Sequence, residues 1–132
     1  LILDTHAWIF YATAKRLDRV GLRRIEKARN ARRLQIAAVT LWEVALLAQE
    51  RKIRFAQPTE EWLHDALVRT EVRVAPLDAA IAIEGARLVR TLRDPADCQI
   101  VGTAIRMGVP LATRDSKILE NAEAVGLELV EV

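Results

Sequence analysis

Five short apolar runs punctuate the chain: LILD (1–4), LQIAAV (34–39), VRVA (72–75), VPLAT (109–113) and LELVEV (127–132). Most of them lack the strict alternation of apolar and polar residues that marks a strand with one wet face. A strand of this kind has to be buried on both sides, as strands of a parallel sheet are. Between the runs lie segments with helical patterning, predicted at 6–13, 19–32, 40–52, 59–70, 78–92, 94–108 and 115–122. Strand and helix in alternation predict an α/β fold, with helices covering both faces of a central parallel sheet. We expect one three-layer α/β/α domain over residues 1–132, with four or five parallel strands.

Local signals support these boundaries. Thr59 opens a helix with Glu60 and Glu61 in its first turn, and Pro95 and Gly108 bracket the helix at 94–108. Thr40 and Glu43 read as a capping box at the start of the third helix. Gly85 is expected to loosen the helix at 78–92. The stretch between residues 52 and 58 carries no clear pattern, with a turn near Phe55 and a break at Pro58.

A chain of 132 residues, 52% hydrophobic and 29% charged, is sufficient for a soluble core without staples. No apolar stretch approaches the roughly 20 residues that span a bilayer, and no signal-peptide pattern is visible. A single cysteine, Cys98, excludes an internal disulfide and fits a reducing cytoplasm. No Cys/His spacing suits zinc, and neither His6 nor His64 has a recognisable relation to Cys98 that would activate it as a nucleophile. An initiator methionine is expected to have preceded Leu1.

The net charge of +2 conceals an asymmetry. Residues 15–33 carry nine Lys or Arg against Asp18 and Glu26, a local balance of +7, so the remainder sums to −5. A basic flank beside an acidic remainder suits contact with a polyanion.

The acids fall in a pattern of their own. In an open parallel sheet the strands' carboxyl ends share one edge, where ligands bind. Asp4 ends the first strand, Glu43 lies in the first turn after the second, and Asp115 follows the fourth. The helix carrying Asp94 and Asp97 feeds the fourth strand and so begins at the same edge. Each acid alone reads as a helix cap, favoured by the N-terminal partial charge. Together, drawn from across 112 residues, they would repel one another unless a cation compensated. Mg²⁺ and Mn²⁺ favour such oxygen donors, and a site of this type can activate water for attack on a phosphodiester.

The set LILDTH, WE after the second strand, DPADCQIVGTA and LATRD resembles the PIN-domain ribonucleases, and most of all the VapC-type toxins of type II toxin–antitoxin modules. The resemblance runs over nearly the whole chain. It implies a PIN-like fold, an Mg²⁺- or Mn²⁺-dependent endoribonuclease acting on RNA, a homodimer, and a cognate antitoxin protein that occupies the acidic groove. By motif position, Asp4, Glu43 and Asp97 would carry the metal, and Asp115 would help to hold it or a second ion. Asp94, in the DPxD variant, is read as a helix cap or a group supporting the ligands. His6 and Cys98 depart from the commonest pattern without removing an acid.

Other readings compete. A catalytically silent PIN-like module that binds RNA or protein, or an RNA-processing nuclease that is not a toxin, would share these motifs. A phospho-accepting receiver would want paired acids after the first strand and a late lysine, although Asp78 follows the third strand. An aspartate phosphatase would want a second Asp where His6 stands. Trp8, Trp42 and Trp62 are expected in the core or an interface, with Trp42 packed behind Glu43. Arg93 and Arg114 are expected on the surface without a role, with contact to phosphate as the lesser alternative for each.

Overall fold

Strand β1 (Ile2–Leu3) is flanked by β2 (Gln35–Ala37) on one side and β4 (Leu111–Thr113) on the other. Strands β3 (Arg73–Ala75) and β5 (Leu129–Glu131) complete an all-parallel sheet of order β3-β2-β1-β4-β5. The computed structural model describes residues 1–132 apart from the side chain of Ala122. The α/β expectation therefore holds, with the larger of the two expected strand numbers.

Eight helices connect and cover the strands: α1 (Thr5–Ala12), α2 (Arg19–Asn30), α3 (Ala38–Gln49), α4 (Thr59–Thr70), α5 (Ala79–Leu92), α6 (Pro95–Met107), α7 (Ser116–Glu120) and α8 (Ala122–Val125). Among the described residues, no helix is long and apolar enough to cross a membrane.

The sheet divides the interior into two cores, because successive strand residues point to opposite faces. On one face Leu3, Ile36, Ala112 and Val130 pack with Trp8, Ile25, Val44 and Trp62 from α1, α2, α3 and α4. On the other, Ile2, Ala37, Ala75 and Leu111 pack with Leu88, Ile100 and Ile118 from α5, α6 and α7. Register explains the sorting: Leu3 sits opposite both Ile36 and Ala112, and Ile2 opposite Leu111.

Trp8 and Trp62 behave as expected. They meet edge to face, with ring centroids 5.6 Å apart, and Phe55 stacks on Trp62 at 4.0 Å. The Trp8 indole N–H donates to the Thr70 hydroxyl at 3.1 Å, which ties α1 to α4 without leaving a buried donor unpaired. Phe55 gives the patternless stretch after α3 a role as a lid on this aromatic cluster. Trp42 is 59% exposed, so it is no part of the core and does not pack behind Glu43.

Two local readings are also corrected. The second strand stops at Ala37, where its pairing with β3 ends, and α3 begins at the next residue. Thr40 therefore lies inside the first turn, fully buried, and makes no cap; Ala37 holds the N-cap position without a side-chain bond. Glu43 consequently sits in the second turn, not the first. Gly85 does not loosen α5. It is buried against α6, where a Cβ at Gly85 would meet the Cys98 carbonyl oxygen at 3.1 Å. A Cβ at Gly102 would meet the Gly85 amide nitrogen at 2.8 Å. The glycines let two helix backbones touch. Helix α8 was not foreseen.

Gly102→Ala should force α5 and α6 apart, costing about 1–3 kcal/mol as overpacking does. Thermal unfolding should show a clear fall in Tm for this variant; an unchanged Tm would mean that the crossing is not closely packed.

Candidate active site

The strand order reverses between β1 and β4, and the chain leaves these two strands toward opposite faces. After β1, α1 packs into one core through Ala7 and Trp8; after β4, α7 packs into the other through Ile118. The divergence opens a crevice at the carboxyl edge of the sheet, the usual ligand position in open α/β folds.

Asp4 stands at the apex of this crevice and is only 4% exposed. One carboxylate oxygen caps α1 by accepting from the Ala7 amide at 2.6 Å, and the other accepts from the Thr113 hydroxyl. The Asp4 amide donates to the Ala112 carbonyl at 2.9 Å. Both readings of this aspartate, as a cap and as a group aimed at the rim, are thus met by one side chain. Thr113 also accepts from the Asp115 amide at 3.0 Å, so a single threonine connects the acids that follow β1 and β4. Asp115 in turn caps α7 through the Lys117 and Ile118 amides, at 2.8 and 3.2 Å.

The remaining acids face one another across the crevice. Glu43, Asp94 and Asp97 each place a carboxylate oxygen within 4.8 Å of the other two. Glu43 accepts a hydrogen bond from the Thr5 hydroxyl, which lies 3.4 Å from that of Thr40. The threonine that resembled a cap is therefore part of the support beneath Glu43. Asp94 uses one oxygen to cap α6, accepting from Ala96 and Asp97 at 2.9 and 3.1 Å. Its second oxygen is not occupied by the cap.

Electrostatics identify the centre of the cluster. Burial and then the charges of Asp94, Asp115, Glu43 and Asp4 push the Asp97 carboxyl up to about 7. Burial raises Glu43 against the Thr5 hydrogen bond, and Asp94 adds to the rise. Burial likewise raises Asp4, although Thr113, the Ala7 amide and His6 all oppose it. Among the described residues no Lys or Arg forms an ion pair with any of these five acids. Clustered carboxylates without a cationic partner are the donor set that suits a hard divalent cation.

All four acids singled out in the sequence reach this edge. Glu43 and Asp97 meet directly, while Asp4 and Asp115 lie beside them and act on Asp97 through their charge. The sequence reading placed Asp94 as a cap or a group supporting the ligands; the structure shows it capping with one oxygen while standing in the cluster itself. That reading missed Thr5 and took Thr113 only as part of the LATRD motif, because a hydroxyl carries no periodic signal. Cys98 is buried and free, and His6 is exposed. Arg114 is exposed, with its guanidinium 4.7 Å above the Phe10 ring.

A five-stranded parallel sheet with an acidic crevice at its switch point is the arrangement of one nuclease-containing class, and the PIN domain family matches residues 1–124. The chain belongs to the PIN domain family. It is 32% identical to Ribonuclease VapC22 of Mycobacterium tuberculosis over 120 residues, covering 89% of this chain and 88% of the relative. Among solved structures it resembles VapBC2 of Rickettsia felis bound to a promoter DNA fragment, with a TM-score of 0.72 at 17% identity, over 99% of this chain and 97% of that one. It also resembles DNA-bound VapBC of Salmonella typhimurium, with a TM-score of 0.69 at 22% identity, over 98% and 96% of the two chains. At these identities the structural likeness speaks for the fold.

A raised carboxyl pKa means that the native state retains a proton the unfolded state has lost. This group's contribution to stability is complete below its unfolded value of 3.8 and is lost as pH rises through about 7. Asp97→Asn should therefore stabilise the protein in EDTA at about pH 8, with a smaller gain near pH 4. Melting curves of both proteins across pH check this; a gain that does not grow with pH would remove the repulsion argument.

Proposed function

We propose that this chain is a divalent-metal-dependent endoribonuclease, formed by a single domain over residues 1–132, and the toxin of a toxin–antitoxin pair. The observation that carries this reading is the uncompensated carboxylate cluster at the sheet edge, in a chain whose sequence relative is a named ribonuclease. The cluster's oxygen donors favour Mg²⁺ or Mn²⁺. Glu43 and Asp97 would hold the ion together with Asp4, Asp115 would help to hold it or a second ion, and Asp94 would contribute its uncapped oxygen.

When bound, the ion neutralises charge on a phosphodiester and promotes attack by water. The protein's own groups prepare that site. Thr5 holds one Glu43 oxygen. Thr113 fixes Asp4 in orientation, while the Asp94 and Asp115 caps anchor their carboxylates to the starts of α6 and α7. Asp97, raised to about 7 by burial and by its acidic neighbours, would give up its proton readily to a cation. A catalytically silent binding module would have no use for this electrostatic cost.

RNA as the substrate agrees with the +7 segment at residues 15–33 and sets the place of action in the cytoplasm. The solved neighbours are VapBC complexes, which supports a cognate antitoxin as partner. A homodimer belongs to the same reading, and the exposed indole of Trp42 on α3 offers apolar surface for it.

Purified protein freed of any partner should cut a pool of structured RNAs with Mg²⁺ or Mn²⁺ and not with EDTA. Asp97→Asn and Asp4→Asn should abolish cutting. Thr5→Val, which leaves every acid in place, should lower metal affinity or activity by about 10–100-fold, as loss of a group supporting a ligand does. Equal cutting by the wild type and Asp97→Asn would sink the mechanism.

A further inference from the structure

The basic segment is not uniformly free. Arg24 pairs with Glu128 at 2.5 Å, and Arg29 lies near Glu26 and Glu71 at 3.7 and 3.8 Å while donating to the Tyr11 hydroxyl. By contrast, Lys15, Arg16, Arg19 and Arg114 form no ion pair among the described residues, nor do Arg23, Lys27, Arg32 and Arg33. The first four are set apart by coming together from two parts of the chain. Lys15 and Arg114 share one aromatic seat, with the ammonium 5.1 Å and the guanidinium 4.7 Å from the centre of the Phe10 ring. Arg16, Arg19 and Arg114 then line a single open cleft of about 820 Å³ with Asp18, Glu131 and Val132.

The two acids in this cleft do not neutralise it. Asp18 caps α2 with one oxygen, accepting from the Val20 and Gly21 amides at 2.7 and 3.0 Å. Three guanidiniums and the Lys15 ammonium stand against Asp18 and Glu131, which leaves a surplus of two positive charges. Arg114 ties the cleft to the acidic crevice through the chain. Arg114 is the residue between Thr113, which binds Asp4, and Asp115, so its Cα lies about 3.8 Å along the chain from each. A cation seated on an aromatic face keeps its N–H groups available at the ring's edge, and guanidinium presents paired donors that match phosphate oxygens.

We propose that Arg16, Arg19 and Arg114, with Lys15 beside Arg114 on the Phe10 ring, form a phosphate-binding cleft that holds the RNA strand next to the carboxylate crevice. This inference rests on the endoribonuclease reading for its ligand and deepens it by naming the residues that hold the uncut part of the strand. The paired α2 cations Arg24 and Arg29 serve the fold instead.

The test is single-stranded RNA binding, followed by fluorescence anisotropy in EDTA so that nothing is cut. It compares the wild type with Arg16→Gln/Arg19→Gln/Arg114→Gln and with a charge-matched control of unpaired cations, Arg51→Gln/Arg54→Gln/Arg73→Gln. The control residues are exposed and lie after α3 or at the start of β3, on the opposite side of the sheet from its carboxyl edge. The cleft variant should bind at least ~10-fold more weakly at low salt, and its slope of log affinity against log salt should be shallower by about 2, from about 0.7 per lost phosphate contact. The control should keep the wild-type slope, and matching melting curves establish that all three proteins are folded. With Mg²⁺ or Mn²⁺ the cleft variant should raise KM while kcat stays within about twofold, the signature of lost uniform binding. An unchanged slope in the cleft variant, or an equal change in the control, would overturn the cleft. If the wild type fails to cut RNA, the nuclease reading falls, and the binding comparison still decides whether the cleft holds a phosphate backbone.

Discussion

The bond between Thr113 and Asp4 is the contact around which the site is organised. It joins the ends of the two central strands at the point where the chain diverges to opposite faces of the sheet. Burying a carboxylate in this position is costly unless its oxygens are satisfied. Here one oxygen is bound by the first turn of α1 and the other by Thr113, while Thr113 also receives the Asp115 amide. One strand pair, two helix starts and two acids are thereby fixed relative to one another. The aromatic contacts of Trp8 with Trp62 and Thr70 hold α1 against α4, and so support the same end of β1 from below.

The crevice shows a division between groups that stabilise and groups that oppose folding. Helix N-termini attract acids, and Asp4, Asp94 and Asp115 each accept amide hydrogen bonds at one. Those caps bring their charges onto Asp97 and Glu43, where burial magnifies the repulsion. Local consistency at each helix start thus produces a conflict at the next level, a pattern characteristic of functional sites. A divalent ion, as proposed, would relieve that conflict while the caps stay in place.

The cations of the basic segment are only partly neutralised. Arg24 and Arg29 of α2 pair with Glu128 and with Glu26 and Glu71, whereas Arg16 and Arg19 near its entry line one cleft with Arg114. Surface ion pairs of the first kind contribute little to stability.

Much of the fold was legible because apolar strand runs and helix caps are local signals. LILD, VPLAT and the Asp94–Pro95 cap define their elements within a few residues, and the order of acids along the chain places them at one sheet edge once the strands are parallel. What the sequence alone could not decide depends on distant partners. Thr40 satisfies the local grammar of a cap, yet sheet pairing through Ala37 starts the helix earlier and turns that threonine inward. Trp42 has the composition of a core residue but faces solvent, because Val44 is the residue of that turn that meets the sheet. Gly85 looks like a helix weakness until Gly102 is brought against it. The sequence by itself determined the α/β class, the set of acids and their common edge, since these follow from short-range pattern and strand direction. Only the tertiary structure decided that Asp94 joins Glu43 and Asp97, that Thr113 bridges Asp4 and Asp115, and which cations stay free. Those outcomes are set by contacts between residues far apart in the chain, which no local pattern encodes.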